Sequence, residues 1–137
     1  MYKKSIDQFK KYSSDIYLTY TELISFCVTF FVICSPALTS ILFNRGAIDT
    51  NDLNLIITIV QILSVGLLFL LNNNFFSNIY VLMSDYKKLT LFNMVKLISF
   101  IVLVLLFYKT YSHAIPIAFV ISNFLFFLLA FLDLISK

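Results

Sequence analysis

The sequence contains no tryptophan, one histidine, two cysteines, two glycines and two prolines in 137 residues. So little glycine and proline excludes collagen-like, loop-rich and turn-rich β architectures and favours long uninterrupted helices. Charge is scarce too. Asp, Glu, Lys and Arg make up 12% of the chain, about half the share usual in a soluble domain. Cys27 and Cys34 are seven residues apart. On a helix they share a face but stand about 10 Å apart, too far for a disulfide, and they read as packing residues. The single histidine, His113 beside Ser112, makes neither a metal cluster nor a triad. There is no glycine-rich phosphate loop and no pair of carboxylates facing each other within a span. The expectation is a protein that is not an enzyme, with no catalytic residue, cofactor or metal.

What the chain does have is apolar length. Hydrophobic residues make up 61% of it and its mean hydropathy is +0.95. A water-soluble fold of this size could not hide so much apolar surface. A spanning helix needs roughly 20 apolar residues, and four stretches qualify: residues 23–43, 53–83, 91–109 and 114–135. Runs such as Ile101-Val102-Leu103-Val104-Leu105-Leu106-Phe107 do not alternate as barrel strands do. The fold class is therefore all-α integral membrane, with four transmembrane helices in antiparallel up-down order. The second span is expected to run as one helix from about residue 52 to 83. Phe75, Phe76 and Ile79 resume the apolar pattern after Asn72, Asn73 and Asn74, with no Gly or Pro behind them.

Residues 1–22 form a different kind of segment. Lys3, Lys4, Lys10 and Lys11 accompany apolar residues at Tyr2, Ile6, Phe9, Tyr12, Ile16 and Tyr20. That is helical spacing on one face, and it predicts a short amphipathic helix on the membrane surface leading into the transmembrane block of residues 23–137. A merely solvated basic tail is the alternative. No cleavable signal peptide is expected, since no short apolar core precedes a small-residue site. With four spans both termini share a side. That side holds Lys3, Lys4, Lys10, Lys11, Lys87, Lys88, Lys96 and Lys137, and the other holds only Arg45 and Lys109, which together are the ten cations of the chain. The excess places both termini in the cytoplasm, and the expected location is the bacterial cytoplasmic (inner) membrane. The net charge of +3 then reflects topology and lipid contact. Nucleic acid is not an expected partner, because no basic stripe is interleaved with aromatics.

Polar residues inside spans are costly and normally face protein or water. Gln61, Ser64, Asn93, Lys96, Ser99, Ser122 and Asn123 are such residues, joined by residues 72–74. Asn93, Lys96 and Ser99 recur every three positions on one stripe. Lys96 lies within about two turns of the cytoplasmic end of its span, which lets it snorkel. Gln61 and Asn123 read either as interhelical hydrogen-bonding groups, worth about 0.6–2 kcal/mol each, or as a polar cavity lining. Between the first two spans, Gly46 can supply a positive φ for a tight turn, and residues 49–52 can cap the next helix.

The order of these features resembles a known family. Ser35-Pro36 in the outer half of a span is followed by Ile41-Leu42-Phe43-Asn44-Arg45-Gly46-Ala47-Ile48-Asp49. This is similar to the Arg-Gly turn of the lipid II flippases of the MurJ/MviN type, within the superfamily of multidrug, oligosaccharidyl-lipid and polysaccharide exporters. The long helix to Ile79-Tyr80-Val81-Leu82-Met83-Ser84-Asp85, then Lys87 and Lys88, and the turn Tyr111-Ser112-His113-Ala114-Ile115-Pro116 follow in similar order. The resemblance covers about residues 7–137 and looks like helices nine to twelve of a fourteen-helix flippase. Ser25, Ile48 and Leu89 depart from it, standing where that family often has Pro, Phe and Pro. The family's cavity arginines belong to earlier helices, so no lipid-pyrophosphate clamp carries over.

Three functions follow as alternatives. The resemblance implies a fragment or subunit of a flippase or exporter for lipid-linked sugars, inactive alone. Its partners would be membrane lipids and the remaining flippase helices, or further copies of the chain. The composition equally fits a self-standing small membrane protein that binds another membrane protein, such as a toxin-immunity protein. An intramembrane enzyme lacks any nucleophile–base pair. The topology has a direct test. In a background without Cys27 and Cys34, Ala47→Cys and Lys88→Cys should label from opposite sides of the membrane. Labelling of the Lys88→Cys protein by an impermeant reagent in intact cells would invert the orientation.

Overall fold

The computed structural model describes residues 2–43 and 49–136, with side chains from Asp15 onward. The Arg45-Gly46 turn lies outside the described residues. The described chain forms four α-helices: α1 (Tyr2–Phe43), α2 (Thr50–Leu82), α3 (Tyr86–Phe107) and α4 (Ala114–Ile135). All four are long and apolar enough to cross a membrane, α1 from Asp15 to Phe43, and there are no strands among them. The protein is an all-α, multi-pass membrane protein.

The sequence divided the first 43 residues into a surface helix and a span. The structure joins them in one helix of 42 residues, about 63 Å long. No glycine or proline occurs before Pro36, so nothing in the backbone forces a break at residue 22. Pro36 lies inside α1 and cannot donate to the carbonyl four residues back. That carbonyl belongs to Val32, and two side chains take the missing bond's place. Ser35 Oγ donates to it at 2.9 Å and Gln61 Nε2 of α2 at 3.4 Å. The proline is thereby kept without an orphaned acceptor in an apolar setting.

α2 begins at Asp49, whose carboxylate accepts from the Thr50 backbone N–H at 2.7 Å. It passes through residues 72–74 unbroken. It ends in a three-residue turn without glycine. Ser84 takes a positive φ of 56°, Ser84 N–H donates to Val81 O at 3.0 Å, and Asp85 N–H to Tyr80 O at 2.9 Å. This is the paired-bond Schellman ending, with serine where glycine is usual. α3 starts at Tyr86, five residues before the apolar run suggested, because Leu89 N–H already finds Asp85 O at 3.3 Å.

The spatial order is α1, α2, α4, α3. α2 packs against α1 on one side and α4 on the other, and α4 in turn packs against α3. α2 and α3 meet chiefly near their shared turn, where the Tyr80 and Phe92 rings are 5.6 Å apart. Consecutive helices alternate in direction, so the two central ones, α2 and α4, run parallel. Their register is a constant shift of 50 residues. Asn73 meets Asn123, and Tyr80 meets Ala130. The buried positions of α2 include Ser64, Gly66, Asn72, Asn73, Phe76 and Tyr80. Those of α4 are Ala114, Pro116, Ala118, Ser122, Asn123, Phe126 and Ala130, and all of these but Ala118 are matched by that shift. Residues 66, 73 and 80 recur at seven, as do 116, 123 and 130, which is the spacing of a parallel coiled-coil seam.

The shift of 50 also fixes the heights of the helices. α4 begins at Ala114, level with Ser64, so α2 extends 14 residues, about 21 Å, beyond the start of α4. The polar connection at residues 108–113 therefore lies beside the middle of α2.

Lipid gives helices no hydrophobic reason to associate, so close packing and hydrogen bonds must hold the seam. Gly66 is a point of close approach. A β-carbon there would sit 3.0 Å from the Phe119 ring and 3.1 Å from Val120 Cγ2. Gly66→Leu should push α2 and α4 apart and lower stability by about 1–3 kcal/mol, with Gly66→Ala costing less. Thermal unfolding of the reconstituted protein, followed by circular dichroism, checks the order of the two variants.

Candidate functional site

The polar groups expected inside the spans are not gathered on one face. Asn72, Asn73, Asn123 and Gln61 lie at two places along the helix interfaces, a third polar cluster is built from other residues, and Asn74, Asn93 and Lys96 belong to none of these.

The first place is the middle of the bundle. Asn73 Nδ2 donates to Asn123 O at 3.0 Å and Asn123 Oδ1 at 3.1 Å. Asn123 Nδ2 donates in turn to Phe119 O at 2.8 Å. Both residues are 2% exposed. Asn73 Oδ1 has no partner among the described residues. Such a pair at matched seam positions fixes register and parallel orientation, at some cost in stability. Beside it, Asn72 ties α1 to α2. Its Oδ1 accepts from Thr21 Oγ1 at 3.4 Å while its Nδ2 bonds Leu68 O at 2.7 Å. The Tyr20 hydroxyl reaches Leu71 O at 3.4 Å.

The second place is the contact of Gln61 with the Val32 carbonyl. The third is the end of the bundle near the α2–α3 turn, where Lys88 Nζ bonds Asp133 Oδ1 at 2.6 Å. Asp133 Oδ2 accepts from the Tyr80 hydroxyl at 2.9 Å, and that hydroxyl also bonds Ala130 O at 3.2 Å. Tyr80 is fully buried. This cluster joins α2, α3 and α4. Sequence reading missed it, although Lys88 and Asp133 both stand where their helices reach the same end of the bundle. The two side chains are partly exposed, so solvent screens the pair and its net worth is modest.

Asn93 and Asn74 are exposed. Among the described residues Asn93 Nδ2 bonds only the carbonyl of Leu89 on its own helix, at 3.0 Å. A shared face of Gln61, Asn93 and Asn123 does not exist: Asn123 points into the α2–α4 seam, Gln61 towards α1, and Asn93 outward. Of the three consecutive asparagines, two pack on protein and Asn74 does not. The Lys96 ammonium sits 5.4 Å over the centre of the Phe126 ring. Phe126 is fully buried, and attraction to the ring face holds the cation against the helix pair. Ser99 Oγ donates to Lys96 O at 2.9 Å, so the stripe at 93, 96 and 99 is bonded mainly to its own helix.

The cavity of about 160 Å³ between α1 and α2 is lined by Leu23, Ile24, Cys27, Val28, Phe31, Ser64, Leu67 and Leu71. It suits an apolar occupant. Cys27 is exposed and Cys34 intermediate, and both thiols are free.

These placements predict unequal effects from similar substitutions. Asn73→Leu removes the donor on which Asn123 O and Oδ1 depend and should cost about 1–2 kcal/mol. Asn93→Leu should change stability by less than about 0.5 kcal/mol. Unfolding in mixed micelles, followed by helicity, separates the two.

Comparison with protein-family models, with characterised proteins and with solved structures finds no match to the chain.

Proposed function

We propose that this chain is a non-catalytic membrane block that works by lateral association with other transmembrane helices, as part of a flippase or exporter for lipid-linked sugars. The observation that carries the reading is Lys96. An ammonium ion lies within a span, packed on an aromatic ring, and has no acidic partner among the described residues. Charge in such a position calls for a counter-charge from outside the bundle. The Arg-Gly turn and the spacing of the four helices support placing it in the flippase superfamily. On this reading the protein resides in the bacterial cytoplasmic membrane with both termini in the cytoplasm, and the Lys88–Asp133–Tyr80 cluster lies at the cytoplasmic end.

A second reading is a self-standing protein that binds another membrane protein, of the toxin-immunity kind. The continuous α2–α4 seam favours it, since the two central helices already share a register without help from further chains.

In neither reading does the chain move a lipid-linked sugar alone. Alternating access needs two bundles rocking about a central site, and an anionic pyrophosphate head group needs several cations to offset its desolvation. Purified protein in liposomes should give no flipping above protein-free vesicles. Co-expression with a flippase lacking its helices nine to twelve should restore part of the activity. Robust flipping by the isolated chain would overturn the proposal. Failure to associate with any such flippase, together with a toxin gene in the neighbouring reading frame, favours the second reading.

A further inference from the structure

We infer that the α1–α2 pair holds one phospholipid with a primary ammonium head group, its acyl chain in the cavity between the two helices and its ammonium on the carboxylates of Asp15 and Glu22. The inference stands apart from the flippase reading, because it needs only this chain and its lipid.

The cavity of about 160 Å³ is open on one side. Leu23, Cys27 and Phe31 line it, and all three are exposed, so hydrocarbon from the bilayer reaches it sideways. Among the lining residues only Ser64 carries a hydroxyl, and that hydroxyl donates to Val60 O at 2.7 Å within α2. Nothing there asks for water, and an apolar cavity of this size stays dry and takes an apolar guest. An acyl chain that enters it restores the dispersion contacts that bare walls lack.

A second, shallower depression of about 480 Å³ adjoins the first. Asp15, Thr19, Tyr20 and Leu23 line it, so Leu23 belongs to both. Tyr20 joins them again, because its hydroxyl donates to Leu71 O at 3.4 Å and Leu71 is part of the cavity wall. Along α1 the lining residues 15, 19, 23, 27 and 31 follow one another at about one per turn. The stripe passes from acid and hydroxyl to hydrocarbon, as a lipid does from head to tail.

The depths agree with this direction. Leu23 to Phe31 is about 12 Å of helix, close to the half-thickness of about 15 Å of a hydrocarbon core. The guest is thus a chain of one leaflet, entering from the Asp15 side and ending near the middle of the bilayer. Glu22 and Asp15 stand about 2 and 12 Å beyond Leu23 in the other direction, which brackets the head group of that lipid. Seven residues apart, they share a face. Both are exposed, and neither has a cationic partner among the described residues. A head group that meets two carboxylates must bring positive charge and hydrogen-bond donors. A primary ammonium supplies both. A quaternary ammonium lacks the donors, and an anionic phosphoglycerol head is repelled. Charge complementarity therefore selects one occupant for a cavity whose walls accept any acyl chain.

The test places the whole chain in bilayer discs of equal parts phosphatidylethanolamine, phosphatidylcholine and phosphatidylglycerol with identical acyl chains. Native mass spectrometry then counts the lipids that stay with the released protein. Wild-type protein should keep one phosphatidylethanolamine, at least fivefold over either other lipid. Asp15→Asn/Glu22→Gln, which leaves the cavity intact, should keep one lipid without preference. Cys27→Phe, which fills the cavity and leaves both carboxylates, should retain at least fivefold less of every lipid. Circular dichroism confirms that each variant keeps its helices. Wild-type protein that keeps no lipid, or that ranks phosphatidylethanolamine anywhere but first, would overturn the proposal. Wild-type retention by folded Cys27→Phe protein, or an undiminished preference in the charge variant, would overturn it equally.

Discussion

Every backbone polar group inside a bilayer must find its partner within the protein, and helices in lipid gain nothing from hiding apolar surface against each other. The α2–α4 seam is where this chain meets both demands. Gly66 lets two parallel backbones approach, and Asn73 and Asn123 bond across the gap. α1 then needs only α2 and α3 leans mainly on α4. The Val32 carbonyl shows the first demand at the scale of one atom. A proline that would leave it bare is accompanied by Ser35 and Gln61, and both reach it.

The spans were legible in the sequence because length and hydropathy alone decide them. The unbroken course of α2 through three asparagines was legible for the same reason: nothing there stops a helix. Which helix sits beside which was not. When nearly every face is apolar, hydropathy no longer separates inside from outside, and the order α1, α2, α4, α3 leaves little trace in composition. The asparagines show the limit at single residues. Asn72 and Asn73 face protein and Asn74 does not, though all three have the same chemistry. The end of α2 was legible to within a residue, but the form of its turn was not, because Ser84 adopts the conformation that a reader looks for in glycine.

The candidate polar site was legible as a set of residue types and not as an arrangement. Gln61, Asn93 and Asn123 are each polar in an apolar span, yet they answer to different needs: a proline's spare carbonyl, a bond within one helix, and a seam. The Lys88–Asp133 pair escaped notice because its members are 45 residues apart, and only the direction of the helices brings them to one end. Lys96 packs on an aromatic face because Phe126 lies one helix away, a fact no linear spacing contains.

The unequal height of the two hairpins has a consequence for the surrounding lipid. The α1–α2 side presents an apolar wall set by a helix of 33 residues, and the α3–α4 side one set by helices of 22. At 1.5 Å per residue these are about 50 and 33 Å tall. A bilayer of uniform thickness cannot match both, and mismatch is relieved by tilt or by stretching and thinning the lipid. A helix of 33 residues beside helices of 22 must therefore tilt, or carry one end beyond the apolar layer, where its neighbours need not.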